Sequence, residues 1–206
     1  MEDILDLYHR PYDPDVPLIC MDEMPVQLLG DSRESLPTTP QYPPRYDYEY
    51  IRNGTASIFL FTEPLKGWRR VNPRKHRKKV DWAHEVRELL VTDYPNARKI
   101  ILLCDNLNTH TIRAFYEAFP PEEASNLVKR LEIHNIPIQG SGLNIAESEL
   151  SALSRQCLDR RIGDLDTLVW ETKIWESARN NNQKPVDWQF TSENARIKLK
   201  RLYPQF

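Results

Sequence analysis

Three carboxylates of this 206-residue chain have the setting expected of metal ligands. Asp22 ends the apolar run Leu18–Met21, and Asp105 ends the run Ile101–Cys104. Such runs are typical of strands buried on both faces of a sheet, and open α/β sheets bind ligands at the carboxyl ends of their strands. Glu147 stands in the first turn of a predicted helix. Because buried carboxylates are costly unless they are paired or coordinate a cation, these residues predict an all-oxygen site of the kind Mg²⁺ prefers.

The chemistry that such a site suits is phosphodiester cleavage in DNA. Two ions about 3.5–4 Å apart can stabilise the attacking and leaving oxygens of an in-line displacement. Alternatives remain at each position, because a lone Asp at a strand end is more often a turn former or a helix cap. Glu23 competes with Asp22, but neighbouring strand residues point to opposite faces, so that only one can serve. Glu149 competes with Glu147 and faces about 200° away on the helix; spacing does not choose between them.

The order of the predicted elements favours an α/β fold. We expect a strand over Val16–Asp22, a long surface loop over Pro25–Pro44, and a hairpin turn at Asn53-Gly54. Strands are expected at Asp47–Ile51 and Ala56–Thr62 on either side of that turn. Trp68–Val71 continues the antiparallel meander, and helices then alternate with strands. This pattern predicts a mixed sheet flanked by helices.

Composition narrows the class of protein. A hydrophobic fraction of 40% with 28% charged residues is typical of one globular domain. Three cysteines without C-x-x-C spacing predict neither a disulfide framework nor a zinc site, and Cys20 and Cys104 are expected to be buried. The chain lacks an apolar run of membrane-spanning length and a signal-peptide pattern, which favours a cytoplasmic protein. The first fifteen residues, acidic and containing two prolines, are expected to be a lead-in outside the core.

A basic strip interrupts a chain whose net charge is −2. Residues 66–79 contain eight Lys or Arg and no acid. The strip is either a solvated turn or an edge that contacts DNA phosphates, which give affinity but little sequence information. The residues predicted to contact DNA are Arg69, Arg70, Arg74, Lys75, Arg77, Lys78, Lys79 and, on the helix after Glu147, Arg155.

Six short strings, in order along the chain, carry a family resemblance. From about Val16 to Tyr203 the sequence resembles the bacterial insertion-sequence 630 group of transposases, relatives of the mariner elements. The strings are CMDE (Cys20–Glu23), RNGT (Arg52–Thr55), DWA (Asp81–Ala83), DNLNTH (Asp105–His110), GSGLNIAE (Gly140–Glu147) and LSRQCL (Leu153–Leu158).

The resemblance implies a ribonuclease H-like catalytic domain with a five-stranded mixed sheet. It implies that Asp22, Asp105 and Glu147 form an Asp-Asp-Glu triad that binds Mg²⁺, with Mn²⁺ as a substitute, and it selects Glu147 over Glu149. The implied activity is cleavage of transposon-end DNA and strand transfer to a TA target, in a homodimer or larger assembly. Auxiliary roles are expected for Asn106, His110 and Asn144, although Asn106 and His110 would equally suit helix capping. The alternatives are a non-catalytic or decayed DNA-binding half of a split transposase, and a metal-dependent nuclease without strand transfer.

The sequence departs from the family pattern near Glu147. Gly142 stands where the family usually has Trp, and Ile138-Gln139 stands where it usually has Lys-His. Relatives usually carry helix-turn-helix modules ahead of the catalytic domain. We expect residues 1–206 to be a single catalytic domain without that region, which a separate polypeptide could supply.

Overall fold

The structure is a computed structural model that describes residues 1–33, 48–137 and 140–203. Its strands are β1 (Leu18–Asp31), β2 (Tyr50–Glu63), β3 (Trp68–Arg74), β4 (Ile100–Cys104) and β5 (Leu131–Asn135). Its α-helices are α1 (Glu2–Tyr8), α2 (Lys79–Glu88), α3 (Ile112–Ala118), α4 (Pro121–Lys129), α5 (Ile145–Gln156), α6 (Leu165–Asn182) and α7 (Ser192–Lys198). A π-helical turn (Leu89–Asp93) extends α2, and 3₁₀ turns (Ser141–Leu143 and Lys200–Leu202) precede α5 and follow α7.

The five strands form one mixed sheet in the order β3-β2-β1-β4-β5. β1, β2 and β3 are antiparallel neighbours, whereas β4 runs parallel to both β1 and β5. The predicted class of a mixed sheet flanked by helices is therefore confirmed. The meander consists of β1, β2 and β3, because the two strands predicted on either side of Asn53-Gly54 are one continuous strand.

Helices cover both faces of the sheet, and the alternation along β1 and β4 assigns each residue to a face. Leu18 and Cys20 pack in one core with α1, α5 and α6. Ile19 and Met21 pack in a second core with α2, α3 and α4. By the same alternation, Asp22 belongs to the face covered by α5, since successive strand side chains point to opposite faces.

β1 is longer than its sequence predicts. The apolar run ends at Asp22, but the strand continues to Asp31, so Asp22 lies within the strand and the predicted loop from Pro25 was wrong for its first residues. β4 pairs with Leu18–Cys20 in the described structure, which leaves one side of the later part of β1 without a neighbouring strand. Proline is tolerated at such an edge, and Pro25 is accommodated opposite Ser57.

The predicted hairpin turn at Asn53-Gly54 was also wrong. Both residues lie inside β2, where the pairing with β1 shifts register between Gln27 and Leu29. Gly54 has a φ of 102°, which glycine adopts without strain. The Asn53 amide donates to the carbonyl of Gly163 at 2.7 Å, so the bulge joins β2 to the chain that follows α5.

The acidity of the first fifteen residues predicted a lead-in outside the core. This prediction was wrong for part of the segment. Residues 2–8 form α1, whose Ile4, Leu5, Leu7 and Tyr8 are buried. These apolar side chains occur at helical spacing, a signal that the nearby prolines obscured.

Three smaller findings complete the description. Cys20, Cys104 and Cys157 are free and buried, as expected for the first two. Among the described residues, no helix has both the length and the apolar character needed to cross a membrane. The remainder of the predicted surface loop, the first residue of the predicted strand at Asp47 and the Ile138-Gln139 departure lie outside the described residues.

Candidate active site

The sheet brings the two predicted aspartates level with each other. Cys20 of β1 pairs with Leu103 of β4 in parallel register. Asp22 and Asp105 each lie two residues beyond that pair, on adjacent strands or just past them. Glu147 lies in the first turn of α5, which packs against β1. The register of β1 with β4 and the packing of α5 against β1 therefore place the three carboxylates near the same end of the sheet.

Asn144 fastens the beginning of α5 to β1 beside Asp22. Its side-chain oxygen accepts from the backbone amide of Ala146 at 3.1 Å, so Asn144 is the N-cap of the helix. Its amide group donates to the carbonyl oxygen of Met21 at 3.1 Å. The residue is buried, and both contacts hold Glu147 close to Asp22.

Tyr8 supports the same junction and was not identified from the sequence. Its hydroxyl donates to the carbonyl of Leu143 at 2.7 Å and lies 3.4 Å from the backbone amide of Ile145. The contact spans more than 130 residues of chain, so no local pattern could indicate it. The buried apolar face of α1 was the available signal.

Asp22 is in an unfavourable environment for its charge. Burial raises its pKa to about 6; the backbone amide of Glu23 offsets part of this, while the negative charges of Asp105, Glu147 and Glu23 add to it. Carboxylates close enough to repel one another favour binding of a cation or a proton. A positive ion at this edge would therefore stabilise the charged form of Asp22.

The donor set fits a hard divalent cation in its chemistry. Asp22, Asp105 and Glu147 supply carboxylate oxygens, which Mg²⁺ and Mn²⁺ accept. Within the described residues, three such side chains do not converge as closely as a completed metal shell requires. Metal binding would therefore have to draw these carboxylates together against their mutual repulsion.

Glu23, the competitor of Asp22, points to the other face. Its Oε1 atom lies 2.9 Å from Nε2 of His110. The other ring nitrogen of His110, Nδ1, lies 2.7 Å from Oδ1 of Asp105. Although burial opposes protonation of His110, its contacts with Asp105, Cys104 and Glu23 raise its pKa to about 11. His110 thus joins Glu23 to Asp105 and does not act as a simple helix cap.

Glu149, the competitor of Glu147, is buried in an ion-pair cluster. Arg69 donates to it through Nε at 2.7 Å and Nη2 at 3.0 Å, and Arg179 donates through Nη2 at 2.9 Å. Although burial opposes ionisation, these two guanidinium groups lower the pKa of Glu149. The cluster ties α5 to β3 and α6 and leaves Glu147 as the carboxylate of this pair near Asp22.

Arg69 and Arg70 do not belong to the DNA-contacting strip that the sequence predicts. Arg69 is held by Glu149, and Arg70 pairs with Glu85 and Asp93. Their side chains are only 3% and 4% exposed, so neither can reach a phosphate without breaking a buried ion pair. The sequence of a basic run does not show which of its side chains are buried in the folded protein.

The rest of the strip remains accessible. Lys75, Arg77 and Lys78 are exposed and Lys79 is partly buried, while Arg74 pairs with Glu85 and remains partly exposed. Asp22 of β1 pairs with Leu60 of β2, and Leu60 pairs with Val71 of β3, so Val71 is level with Asp22. From Val71, β3 continues to Arg74 and leads into the exposed basic residues. The exposed part of the strip thus lies on the same side of the sheet's end as the carboxylates.

The remaining predicted site residues lie around this edge. Arg155 is exposed two turns further along α5 and donates to Ser151 at 2.8 Å. Asn106 is exposed in the loop after β4. A Cβ atom at Gly142 would meet no described atom within 4 Å, so packing does not explain why glycine replaces the family's tryptophan.

The mixed sheet and its carboxylate edge define a protein of the ribonuclease H-like class. A family model described as DDE superfamily endonuclease matches residues 17–169. The chain therefore belongs to the DDE superfamily endonucleases.

Solved structures of the Mos1 mariner transposase share the fold. The chain matches the Mos1 paired-end complex with Mn at 16% identity and a TM-score of 0.55, covering 86% of this chain and 52% of that one. It matches the Mos1 strand transfer complex at 15% identity and a TM-score of 0.57, covering 86% and 51%. The complex with Mg gives 17% identity and a TM-score of 0.56, covering 88% and 54%. The chain thus spans about half the length of these neighbours, and a search of curated proteins gives no match.

Proposed function

We propose that this chain is the catalytic domain of a DNA transposase, which cleaves DNA and transfers strands with a divalent metal ion held by Asp22, Asp105 and Glu147. The observation that carries the proposal is the placement of Asp22 on β1 level with Asp105 after β4, with Glu147 in the first turn of the helix packed against β1. The raised pKa of Asp22, caused mainly by burial, supports it. Membership of the DDE superfamily endonucleases supports the same chemistry. The motifs favour the insertion-sequence 630 group within that superfamily.

The three carboxylates would act as metal ligands and not as nucleophiles. When bound, Mg²⁺ supplies Lewis-acid stabilisation of the charge that develops on the phosphoryl oxygens. Asp22 lies within β1 and Asp105 directly follows β4, while the position of Glu147 depends on the contact of Asn144 with β1. No covalent link between protein and DNA is expected, since the proposed mechanism uses no side chain as the nucleophile that attacks phosphorus.

DNA is the proposed partner, and the exposed part of the basic strip is the proposed contact surface. Transposon-end DNA is part of a Mos1 neighbour that is described as a paired-end complex with left transposon end. Lys75, Arg77 and Lys78 would hold the sugar-phosphate backbone near the carboxylate edge, with Arg155 beyond Glu147 as a further cation. A homodimer, a TA target and a separate helix-turn-helix polypeptide are proposals that rest on the resemblance.

Removal of two cations from the strip is expected to weaken DNA binding in a salt-dependent way. The variant Lys75→Ala/Lys78→Ala should reduce the slope of log K against log salt by about 2, because each phosphate contact releases counterions. Fluorescence anisotropy with a labelled duplex at several salt concentrations measures this slope.

The matched control is Arg98→Ala/Lys129→Ala, which also removes two charges. Both residues are exposed, and they lie at the amino ends of β4 and β5, away from the carboxylates. Its slope should stay near the wild-type value. Equal changes in both variants would contradict a DNA-contacting role for the strip and indicate a general charge effect.

Nicking of supercoiled plasmid tests the proposed function. The wild-type chain should nick in Mg²⁺ and not in EDTA, and Asp105→Asn should be inactive. Absence of nicking by the wild type would contradict the enzymatic proposal, and equal nicking by the variant would contradict the triad. A labelled DNA end with a 3′-hydroxyl then distinguishes strand transfer, which yields joined products, from nuclease activity alone.

A further inference from the structure

Three side chains, Glu23, His110 and Asp105, form a chain of contacts that leads from a buried histidine to the carboxylate edge. Glu23 Oε1 lies 2.9 Å from Nε2 of His110, and Nδ1 of His110 lies 2.7 Å from Asp105 Oδ1. Nδ1 also lies 3.3 Å from the main-chain oxygen of Asp105. The imidazole ring therefore contacts two oxygen atoms of Asp105, one in the side chain and one in the main chain, and one carboxylate oxygen of Glu23.

The surroundings hold this ring in one orientation. The side chain of His110 is fully buried, and that of Glu23 is 2% exposed. The indole of Trp82 stacks on the imidazole with ring centroids 5.4 Å apart and an interplanar angle of 26°. A ring packed on one face and contacted at both nitrogens has little freedom to turn.

The Asp105 side chain is held from one side. Its Oδ1 atom is buried 2.7 Å from Nδ1 of His110 as an ion-pair contact without hydrogen-bond geometry, while the side chain as a whole is 38% exposed. The second oxygen is thus the one that a ligand approaching from solvent can reach. Asp22 and Glu23 are adjacent on β1, and their side chains lie on opposite faces of the sheet. Of these two, Asp22 lies on the face covered by α5, and Glu23 contacts His110 on the other face.

We propose that Glu23 and His110 are positioning residues, which orient the Asp105 carboxylate for metal binding without touching the metal or the DNA. The inference rests on the proposed function, since it assumes that Asp105 is a ligand. Outer-shell partners of ligating carboxylates matter because they reduce the freedom that the ligand loses on binding; their loss typically lowers metal affinity 10–100-fold.

Two substitutions of His110 form a matched pair. Asn in place of histidine can present its amide near the Nδ1 position and keep the contact with Asp105. Gln reaches near the Nε2 position, so it keeps the contact with Glu23 and loses the one with Asp105. Both remove the ring that packs on Trp82, and they should cost similar stability.

The measurement is the dissociation constant of Mn²⁺ for the full chain without DNA, by electron paramagnetic resonance of the free ion. His110→Gln is expected to weaken binding 10–100-fold, whereas His110→Asn should stay within about threefold of wild type. In the nicking assay, His110→Gln should raise the Mg²⁺ concentration for half-maximal rate more than it lowers the rate at saturation.

An isosteric substitution keeps the test decisive if the histidine variants do not fold. Glu23→Gln removes the charge that faces His110 and should weaken Mn²⁺ binding measurably but less than His110→Gln does, since the ring keeps its contact with Asp105 and is held less firmly. Its control is Glu85→Gln, which disturbs another fully buried carboxylate of the same helical layer, paired with Arg70 and away from Asp105. Glu85→Gln should leave Mn²⁺ binding unchanged.

The outcomes separate this inference from the proposed function. If the wild type binds Mn²⁺ and nicks DNA but Glu23→Gln and His110→Gln bind Mn²⁺ as tightly, the positioning role is overturned and the proposed function stands. Equal weakening by Glu85→Gln would also overturn it, because the effect would then be general loss of packing. A wild type that neither binds Mn²⁺ nor nicks DNA would overturn both.

Discussion

Asp22→Asn is expected to lose Mg²⁺-dependent nicking by a factor on the order of 1000, or about 4 kcal/mol of transition-state stabilisation. The same variant should unfold at a higher temperature than the wild type in metal-free buffer at pH 8. The carboxylate is partly buried and faces Asp105 and Glu147, so its charge destabilises the metal-free fold. An amide of the same shape carries no such charge.

The effect on stability should depend on pH in a defined direction. The pKa of Asp22 is about 6 in the folded protein and lies above that of an unfolded aspartate, near 3.9. The stabilisation from holding this proton is complete below the unfolded value and is lost as the pH rises through about 6. The advantage of Asp22→Asn over the wild type should therefore grow between about pH 4 and pH 7. Asp93, whose pKa is also raised to about 6 by burial, contributes equally to both proteins.

Differential scanning calorimetry in EDTA across this pH range, together with plasmid nicking, measures both effects. Addition of Mg²⁺ at pH 8 should stabilise the wild type more than the variant, since the ion offsets the same repulsion. Asp159→Asn, at an exposed position after α5, is the control and should change neither nicking nor the pH profile. A metal-free Asp22→Asn protein that is less stable than the wild type at pH 8 would contradict this account of the site.

Replacement by Gln is expected to lower mainly the stability of the protein at Glu149 and mainly the nicking rate at Glu147. Glu149→Gln should lower the free energy of unfolding by about 3–5 kcal/mol, because it leaves the buried Arg69 guanidinium without its charged partner. Glu147→Gln removes a partly exposed carboxylate and should change stability little, while it lowers the nicking rate.

Urea denaturation and nicking, each measured on both variants, separate the two roles. The pair is internally controlled, because both substitutions replace Glu with Gln two residues apart on α5. Nicking by Glu149→Gln should be assayed at a temperature where the variant is folded. Full activity of Glu147→Gln beside a folded but inactive Glu149→Gln would reverse the assignment.

The choice between neighbouring acids depends on what lies opposite each of them. Sequence spacing shows that Asp22 and Glu23 point to different faces, but not which face the α5 helix covers. The structure answers this through partners that are distant in the chain: His110 for Glu23, and Arg69 with Arg179 for Glu149. Because Arg69 is buried against Glu149, it is not available for the DNA contact that the sequence predicted.

Local patterns sufficed for the framework of this protein. The runs ending at Asp22 and Asp105 indicated buried strands because a strand covered on both faces must be apolar throughout. The order of elements indicated the mixed sheet, and the helical spacing after Asn144 indicated α5 with Glu147 in its first turn. These features depend on residues close in sequence, so the sequence by itself determined them.

Only the tertiary structure decided how far β1 extends, what Asn53-Gly54 does, and which cations are free. β1 continues past Asp22 because β2 pairs with it, and Asn53-Gly54 forms a bulge because β1 lies opposite. The burial of Arg69 and Arg70, and the Tyr8 contact that supports α5, depend on elements that meet only in the folded chain. The physical reason is common to all of them, since an ion pair, a register or a cap across the fold leaves no periodic trace in the sequence.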